Sequence, residues 1–218
     1  MSEYDFEPIR GLPGDLPPGE SILWQGAPDW RALACEAFHI RAVAAYFAAM
    51  LVWRMTGEIS AGVAPLKAVA VAASVAPLAA IALALLAFLA WLNSRTTVYT
   101  ITNRRVVMRF GAALTKAFNI PFGIIEGAAL NARPSGGGDL ALSLKAPNKI
   151  AFLHLWPHAR PFQLGRPQPT FRAIPNAAKA ASILTNAIRD VVAVDIATTA
   201  PAAVEDDLAA GLPHAQAA

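Results

Sequence analysis

Residues 68–92 read AVAVAASVAPLAAIALALLAFLAWL and contain no charged side chain. An α-helix of that length extends about 37 Å, whereas the hydrocarbon core of a bilayer is about 30 Å thick. No face of the segment is polar, which disfavours a helix that packs on a soluble core with one face in water. The segment therefore predicts a transmembrane helix, kinked at Pro77 because proline has no amide hydrogen to donate.

A second apolar segment precedes it at residues 38–55. Arg41 and Arg54 bracket its uncharged centre and could reach opposite interfaces with their guanidinium groups. As a helix it would extend about 27 Å, which is just sufficient to span, and an interfacial or re-entrant helix is the alternative. Together the two segments predict a transmembrane helical hairpin over residues 38–92, with Gly62 in its connection.

The composition agrees with a membrane protein and excludes several other classes. Hydrophobic residues make up 56% of the chain and charged residues only 15%, against about 25% in typical soluble domains. Such a composition excludes a disordered chain. Cys35 is the only cysteine, which excludes an intrachain disulfide framework, a zinc finger and an iron–sulfur cluster.

Charge is distributed in blocks along the chain. Residues 1–37 carry a net charge of −5 and predict an extended strap followed by a short interfacial segment, whereas residues 93–190 carry thirteen bases and three acids. A basic block beside a membrane segment indicates anionic lipid or an acidic protein surface as partner, and a solvated basic face is the alternative. By the positive-inside rule this block is cytoplasmic, in a multi-pass membrane protein.

The pattern changes from helix to strand after Asn93. Short β-branched or apolar runs separated by turn residues predict strands at 97–102, 106–110, 114–120, 124–131, 139–144 and 150–156. An amphipathic helix follows Asn176. Six or seven strands capped by one C-terminal helix predict an α+β chain whose second domain, residues 93–193, is a small β-barrel. Residues 194–218 predict a disordered tail rich in alanine and acidic residues.

Several segments resemble known families. The bacterial membrane-anchored PH-like domain proteins are similar in three of them: LPPGE at 16–20, ILW at 22–24, and YTITNRRV at 99–106. Within that group, three further segments resemble the PuhB family of photosynthetic-complex assembly proteins of purple phototrophic bacteria: EPIRGLP at 7–13, LWPHAR at 155–160, and RAIP at 172–175. The resemblance implies a PH-like barrel, a location in the intracytoplasmic photosynthetic membrane, and a role in assembling the reaction centre and core antenna.

No residue pattern indicates an enzyme. His154 and His158 have no cysteine or carboxylate near them in sequence to complete a metal site, and the glycine-rich run at 135–138 lacks the Lys-Ser/Thr of a phosphate-binding loop. The aromatic interleaving of RNA-binding domains is absent. We therefore expect no catalytic residue, metal, small-molecule substrate or nucleic acid. His39 could ligate the magnesium of a bacteriochlorophyll, but an interfacial histidine bonded to water or headgroups is the favoured explanation, so no cofactor is predicted.

The sequence thus predicts a non-enzymatic membrane assembly factor whose partners are reaction-centre or core-antenna subunits and anionic lipids. We expect Ala73 and Ala80 to pack against partner helices, since small residues permit close approach. The predicted partner or lipid contacts are Arg95, Arg104, Arg105, Arg109, Trp156, His158 and Arg160. The alternatives are a membrane-anchored PH-like module that binds anionic lipid or an acidic protein and is unrelated to photosynthesis, and a transporter subunit. The absence of charge inside the predicted spans argues against transport.

Overall fold

The computed structural model describes residues 10–199 except 13, 112, 113, 135, 149 and 162. Its helices are α1 Trp30–Glu36, α2 Ile40–Ser60, α3 Pro65–Ala73, α4 Ala76–Thr96, α5 Phe152–Leu155 and α6 Ala177–Thr199. Its strands are β1 Ile22–Gly26, β2 Val98–Thr102, β3 Arg105–Phe110, β4 Lys116–Pro121, β5 Ile125–Ala132, β6 Gly138–Leu144 and β7 Thr170–Ile174. Residues 200–218 of the predicted tail, and residues 7–9 of one resemblance segment, lie outside the described residues.

The helices α2, α3 and α4 form the predicted hairpin. A short connection with Gly62 at a positive φ of 84° reverses the chain, and α2 packs along both α3 and α4. The helix breaks between Ala73 and Ala76, which confirms the predicted kink. Pro77 lies in the first turn of α4, where its missing amide hydrogen has no acceptor to lose.

The two arms of the hairpin differ in their suitability for crossing a membrane. Residues 65–96, taken as one helix, contain an 18-residue stretch with a mean hydropathy of 2.5 and are long and apolar enough to cross. Helices α1 and α2 meet the same criterion only as a pair, bent by 56°. Length and composition thus support one crossing segment, and a second if the bent pair is a single broken span.

The strands form two antiparallel sheets. The first has the order β1-β2-β3-β4 and the second the order β5-β6-β7, and no pairing joins them within the described strands. The predicted closed barrel is therefore corrected to two separate sheets. At Pro121 the chain leaves β4 and enters a 3₁₀ turn, Phe122–Ile124, that carries it into the second sheet. Helix α6 contacts strands of both sheets and covers the opening between them.

Five of the six predicted strands match observed strands within two residues at their ends: 97–102, 106–110, 114–120, 124–131 and 139–144 correspond to β2, β3, β4, β5 and β6. The strand predicted at 150–156 is wrong, because that segment contains helix α5 and an extended continuation. A short apolar run has no periodicity that distinguishes a strand from a turn of helix. The prediction missed β7, where Arg172 stands in the middle of a fully buried strand.

Aromatic stacking forms the centre of the domain core. Phe171 of β7 stacks on Tyr99 of β2 with ring centroids 4.4 Å apart. Trp24 of β1 also stacks on Phe171, with ring centroids 6.0 Å apart. The contact joins the two sheets, because Tyr99 and Trp24 belong to the first and Phe171 to the second. Trp24 is therefore packed against the core of the domain.

Replacement of Phe171 by alanine should therefore separate the sheets. We expect Phe171→Ala to lower the free energy of unfolding by about 3–5 kcal/mol, since it removes a fully buried ring and leaves a cavity. The exposed Leu130 on β5 offers a control, and Leu130→Ala should change it by less than about 0.5 kcal/mol. Urea unfolding followed by tryptophan fluorescence measures both variants. Equal destabilisation would contradict the role of the stack.

Candidate functional site

The junction between the hairpin and the two-sheet domain is built around one carboxylate. Asp139 of β6 accepts a hydrogen bond from Arg133 (Nη2 to Oδ1, 3.0 Å) and another from the backbone N–H of Ala173 (2.7 Å). Arg172 Nε lies 3.2 Å from Oδ2 in an ion pair without hydrogen-bond geometry. Arg133 in turn pairs with Glu36 at the end of α1. Two carboxylates and two guanidinium groups thus link α1 to both β6 and β7.

Backbone contacts extend the same junction. Ala173 has a positive φ of 53°, and its carbonyl accepts from the N–H of Asp29, 2.8 Å away. Asp29 also caps α1 through Ala32, as its position before the helix predicts. A small apolar cluster from α1, α4 and β7 packs between the hairpin and the domain. Its buried members are Leu33, Ala34, Phe38, Ala90 and Ala173. The hairpin is therefore fixed to the domain by both polar and apolar contacts.

His158 lies inside the domain, although the sequence predicts it at a contact surface. Its Nδ1 is 2.6 Å from Tyr99 Oη and its Nε2 is 3.3 Å from Thr97 Oγ1. The Tyr99 oxygen accepts from the backbone N–H of Arg172, which leaves the hydroxyl hydrogen for Nδ1. The geometry thus favours a neutral ring protonated at Nε2, with both nitrogens engaged inside the protein.

Burial explains the acid–base behaviour of this pair. Desolvation, with a smaller effect of the Arg172 charge, lowers the pKa of His158 from 6.5 to about 3. Desolvation also raises the pKa of Tyr99 above its usual range. Both groups are therefore neutral in the folded domain near neutral pH, and neither is poised to exchange a proton at the surface.

The four predicted arginines do not form one patch. Arg95, in the last turn of α4, is exposed and lies over the Trp91 ring at 5.5 Å. Arg109 is buried opposite Val98, close to the end of α4. The other two lie at the far end of the β2–β3 hairpin, about 14 Å further along the strand. There Arg104 is exposed, whereas Arg105 donates to Glu20 at 2.7 Å.

The segment around α5 brings the predicted Trp156 to the start of the hairpin. We call residues 151–166 the α5 segment. Trp156 is exposed and meets Phe38 edge-on, with ring centroids 5.7 Å apart. Arg160 is half-buried and donates to Gln168. A cavity of about 280 Å³ separates the segment from Ala37 and His39, and Arg172 lines it too.

Small residues line the inner face of the hairpin. Ala68, Ala72 and Ala79 are buried, which lets α2 approach closely. The predicted packing residues Ala73 and Ala80 are adjacent in sequence to two of these and are exposed. Neither of them is buried against another helix of the described chain, so both are accessible to a partner helix.

Large apolar side chains cover the outside of the hairpin. Only 11% of the most apolar window in residues 65–96 is buried, which is unlike the core helix of a soluble protein. The exposed large apolar residues of the two arms are Tyr46, Val52, Trp53, Ile59, Leu66, Val69, Leu78, Ile81, Leu85, Phe88 and Trp91. A surface of this extent requires a covering of lipid or protein.

The described residues include no group of three or more His, Cys, Asp or Glu side chains that could hold a metal ion. His39 is exposed at the N-cap of α2, in a left-handed conformation and without a capping bond from its side chain. Ser135 lies outside the described residues, and its glycine-rich neighbours form the turn between β5 and β6. The expectation that the chain binds no cofactor stays a prediction.

The sequence missed the residues that build the junction. Asp139 is one of only three acids in the basic block, and that scarcity was a usable signal. An acid kept among thirteen bases favours internal pairing. Its partner Arg133 also pairs with Glu36, which lies 97 residues earlier in the chain, and no local pattern links them.

Comparison with known proteins gives the family. A family model described as "Bacterial PH domain" matches residues 39–188. The chain is 39% identical over 186 residues, 85% of its length, to a protein of Rhodobacter capsulatus described as an uncharacterized 23.7 kDa protein in the puhA 5′ region, of which 87% is covered. No solved structure matches the chain.

The buried histidine makes stability depend on pH. His158 is neutral in the folded chain and has its ordinary pKa near 6.5 when unfolded, so the unfolded state binds the proton first as the pH falls. Between pH 7 and pH 5 the free energy of unfolding should fall by about 2 kcal/mol. His158→Gln, which cannot titrate, should be less stable at pH 7 and show a flatter profile. Urea unfolding at each pH tests this, and parallel profiles would contradict it.

Proposed function

The chain belongs to the bacterial PH domain family, and from that premise we propose that it is a non-enzymatic membrane factor that assembles the photosynthetic reaction centre and core antenna. The helical hairpin anchors it in the bacterial inner, intracytoplasmic photosynthetic membrane. The PH-like domain lies on the cytoplasmic side. Reaction-centre or core-antenna subunits are the protein partners, and no cofactor, substrate or nucleic acid is assigned.

The observation that carries the proposal is the similarity to the Rhodobacter capsulatus protein. It extends over most of both chains, so it includes the hairpin as well as the domain. That protein is described by its position in the puhA 5′ region, which we take as a link to photosynthesis. The segments at 155–160 and 172–175 that resemble the PuhB family support the same conclusion.

The exposed apolar surface of the hairpin supports the membrane location. Helix α2 has 21 residues and extends about 31 Å, close to the thickness of a hydrocarbon core. Trp91 and Arg95 stand together in the last turns of α4, where an aromatic ring and a guanidinium fit the headgroup region. The basic residues that follow favour a cytoplasmic domain.

The polar groups of the domain support an interaction role over a catalytic one. His158, Tyr99 and Asp139 have partners inside the fold, and none is exposed beside a nucleophile. What the chain offers to other molecules is an apolar hairpin with an alanine face and a rigidly attached domain. An assembly factor requires such surfaces, which hold a nascent subunit by lateral helix packing.

The alanine face gives a functional test. Ala73→Leu or Ala80→Leu should obstruct a partner helix without preventing insertion, because leucine favours the membrane. In a deletion strain, each variant should restore less core-complex absorption in the near infrared than the unmodified gene does, while pigment synthesis continues. Ala49→Leu, an exposed alanine on α2, is the matched control and should restore it fully.

The deletion strain itself decides between functions. Normal core-complex absorption without the gene would overturn the assembly role. It would leave a membrane-anchored PH-like module that binds anionic lipid or an acidic protein, unrelated to photosynthesis.

The topology can be tested separately. Reporter fusions at Ser2, Gly62 and Ala218 should give cytoplasmic, periplasmic and cytoplasmic signals, because the hairpin returns the chain to its starting side. A cytoplasmic signal at Gly62 would contradict this orientation. A periplasmic signal at Ser2 would mean that α2 does not span.

A further inference from the structure

The α5 segment exposes large apolar side chains outside the hairpin. Leu153 is 85% exposed, Leu164 is 72% exposed and Trp156 is 52% exposed. Such residues are normal as single exceptions on a soluble surface, but here three occur within twelve positions. Within the described fold nothing covers them.

The segment lies beside the beginning of α2. Trp156 contacts Phe38, two residues before that helix, and the cavity of about 280 Å³ between them is lined by Ala37 and His39 on one side and by Leu164 on the other. Its apolar surface therefore continues the apolar surface of the hairpin.

The length of α2 fixes the level of the segment relative to a bilayer. Its 21 residues match the hydrocarbon thickness, so with the hairpin connection at one boundary its first residue lies at the other. His39 and Phe38 then lie in the headgroup region, and the α5 segment lies level with them.

The charges of this part of the chain fit an anionic surface. Residues 150–169 include the cationic side chains Arg160 and Arg166 and no aspartate or glutamate. Bases combined with leucine and tryptophan are typical of segments that lie in the headgroup and acyl boundary.

From these observations we infer that the α5 segment is a second membrane contact, which inserts Leu153, Trp156 and Leu164 into the headgroup–acyl boundary beside the hairpin. The occupant of this surface is the lipid bilayer. The inference rests on the membrane anchor of the proposed function and adds that the domain lies against the membrane surface. Together with the junction at Asp139, this contact holds the domain in one orientation to the bilayer.

Single-cysteine labelling of the full chain in lipid nanodiscs with anionic lipid tests the inference. In a Cys35→Ser background, an environment-sensitive fluorophore is attached at Leu153→Cys or Leu164→Cys. We expect emission shifted to shorter wavelength, and quenching that is stronger with a nitroxide near the headgroup than with one near the acyl chain end. Leu23→Cys is the matched control, since Leu23 is an exposed leucine on β1 at the end of the sheet remote from α4, and its probe should show neither effect.

A probe at Ile81→Cys, on the exposed face of α4, separates this inference from the anchor on which it rests. If the Ile81 probe is quenched and the probes at 153 and 164 behave like that at 23, the anchor stands and the second contact is overturned. Without quenching at Ile81, the anchor itself fails. A wavelength shift at 153 and 164 without nitroxide quenching would mean that protein, such as a second copy of the chain, covers the segment, and would overturn the lipid assignment.

Discussion

The carboxylate of Asp139 is the interaction on which the arrangement of hairpin and domain depends. It lies between two guanidinium groups and also accepts the N–H of Ala173, so its charge is matched on all sides. That N–H is available because Ala173 has a left-handed backbone, a conformation that costs a non-glycine residue roughly 1–2 kcal/mol. The hydrogen bond to a charged acceptor, and the bond from Asp29 to the Ala173 carbonyl, offset that cost. The strained residue thus turns β7 toward α1.

The same junction explains why residues far apart in sequence act together. Glu36 ends α1 directly before the hairpin begins, and Arg133 connects it to Asp139 in the second sheet. A partner helix that displaces the hairpin would therefore also displace the sheet that contains β7. That sheet contacts the first sheet through Phe171 of β7, which stacks on Tyr99. The anchor, the junction and the domain core form one continuous set of contacts. A factor that positions a membrane subunit relative to the cytoplasmic surface needs this rigidity.

The sequence predicts the elements well and their contacts poorly, and the reasons are physical. An uncharged run in residues 68–92, a proline within it and β-branched residues after Asn93 are local signals, and the hairpin, the kink and β2 follow from them. Barrel closure depends on pairing between strands distant in sequence, which no local pattern specifies. Arg172 lies in a buried strand, which contradicts the preference of arginine for exposed positions. The free-energy cost of burying its charge is offset by Asp139 and the Ala159 carbonyl, both distant in the chain. His158 is similar: a histidine after Trp-Pro looks like a surface residue until Tyr99 and Thr97 are placed around it.

Several bases of the basic block, residues 93–190, are paired inside the fold, so composition alone does not identify a ligand-binding surface. The block has a net charge of +10, but several of its guanidinium groups form ion pairs inside the protein. Arg105 pairs with Glu20, and Arg133 and Arg172 pair with Asp139. Two of the three segments that carry the resemblance to membrane-anchored PH-like proteins, 16–20 and 99–106, meet here, because Asn103 donates to the carbonyl of Gly19 and accepts from the N–H of Ser21. Their residues hold the N-terminal strap on the β2–β3 turn. The motif therefore has a structural role in the fold. In the proposed membrane contact, attraction to anionic lipid falls to the exposed bases near the hairpin, such as Arg95.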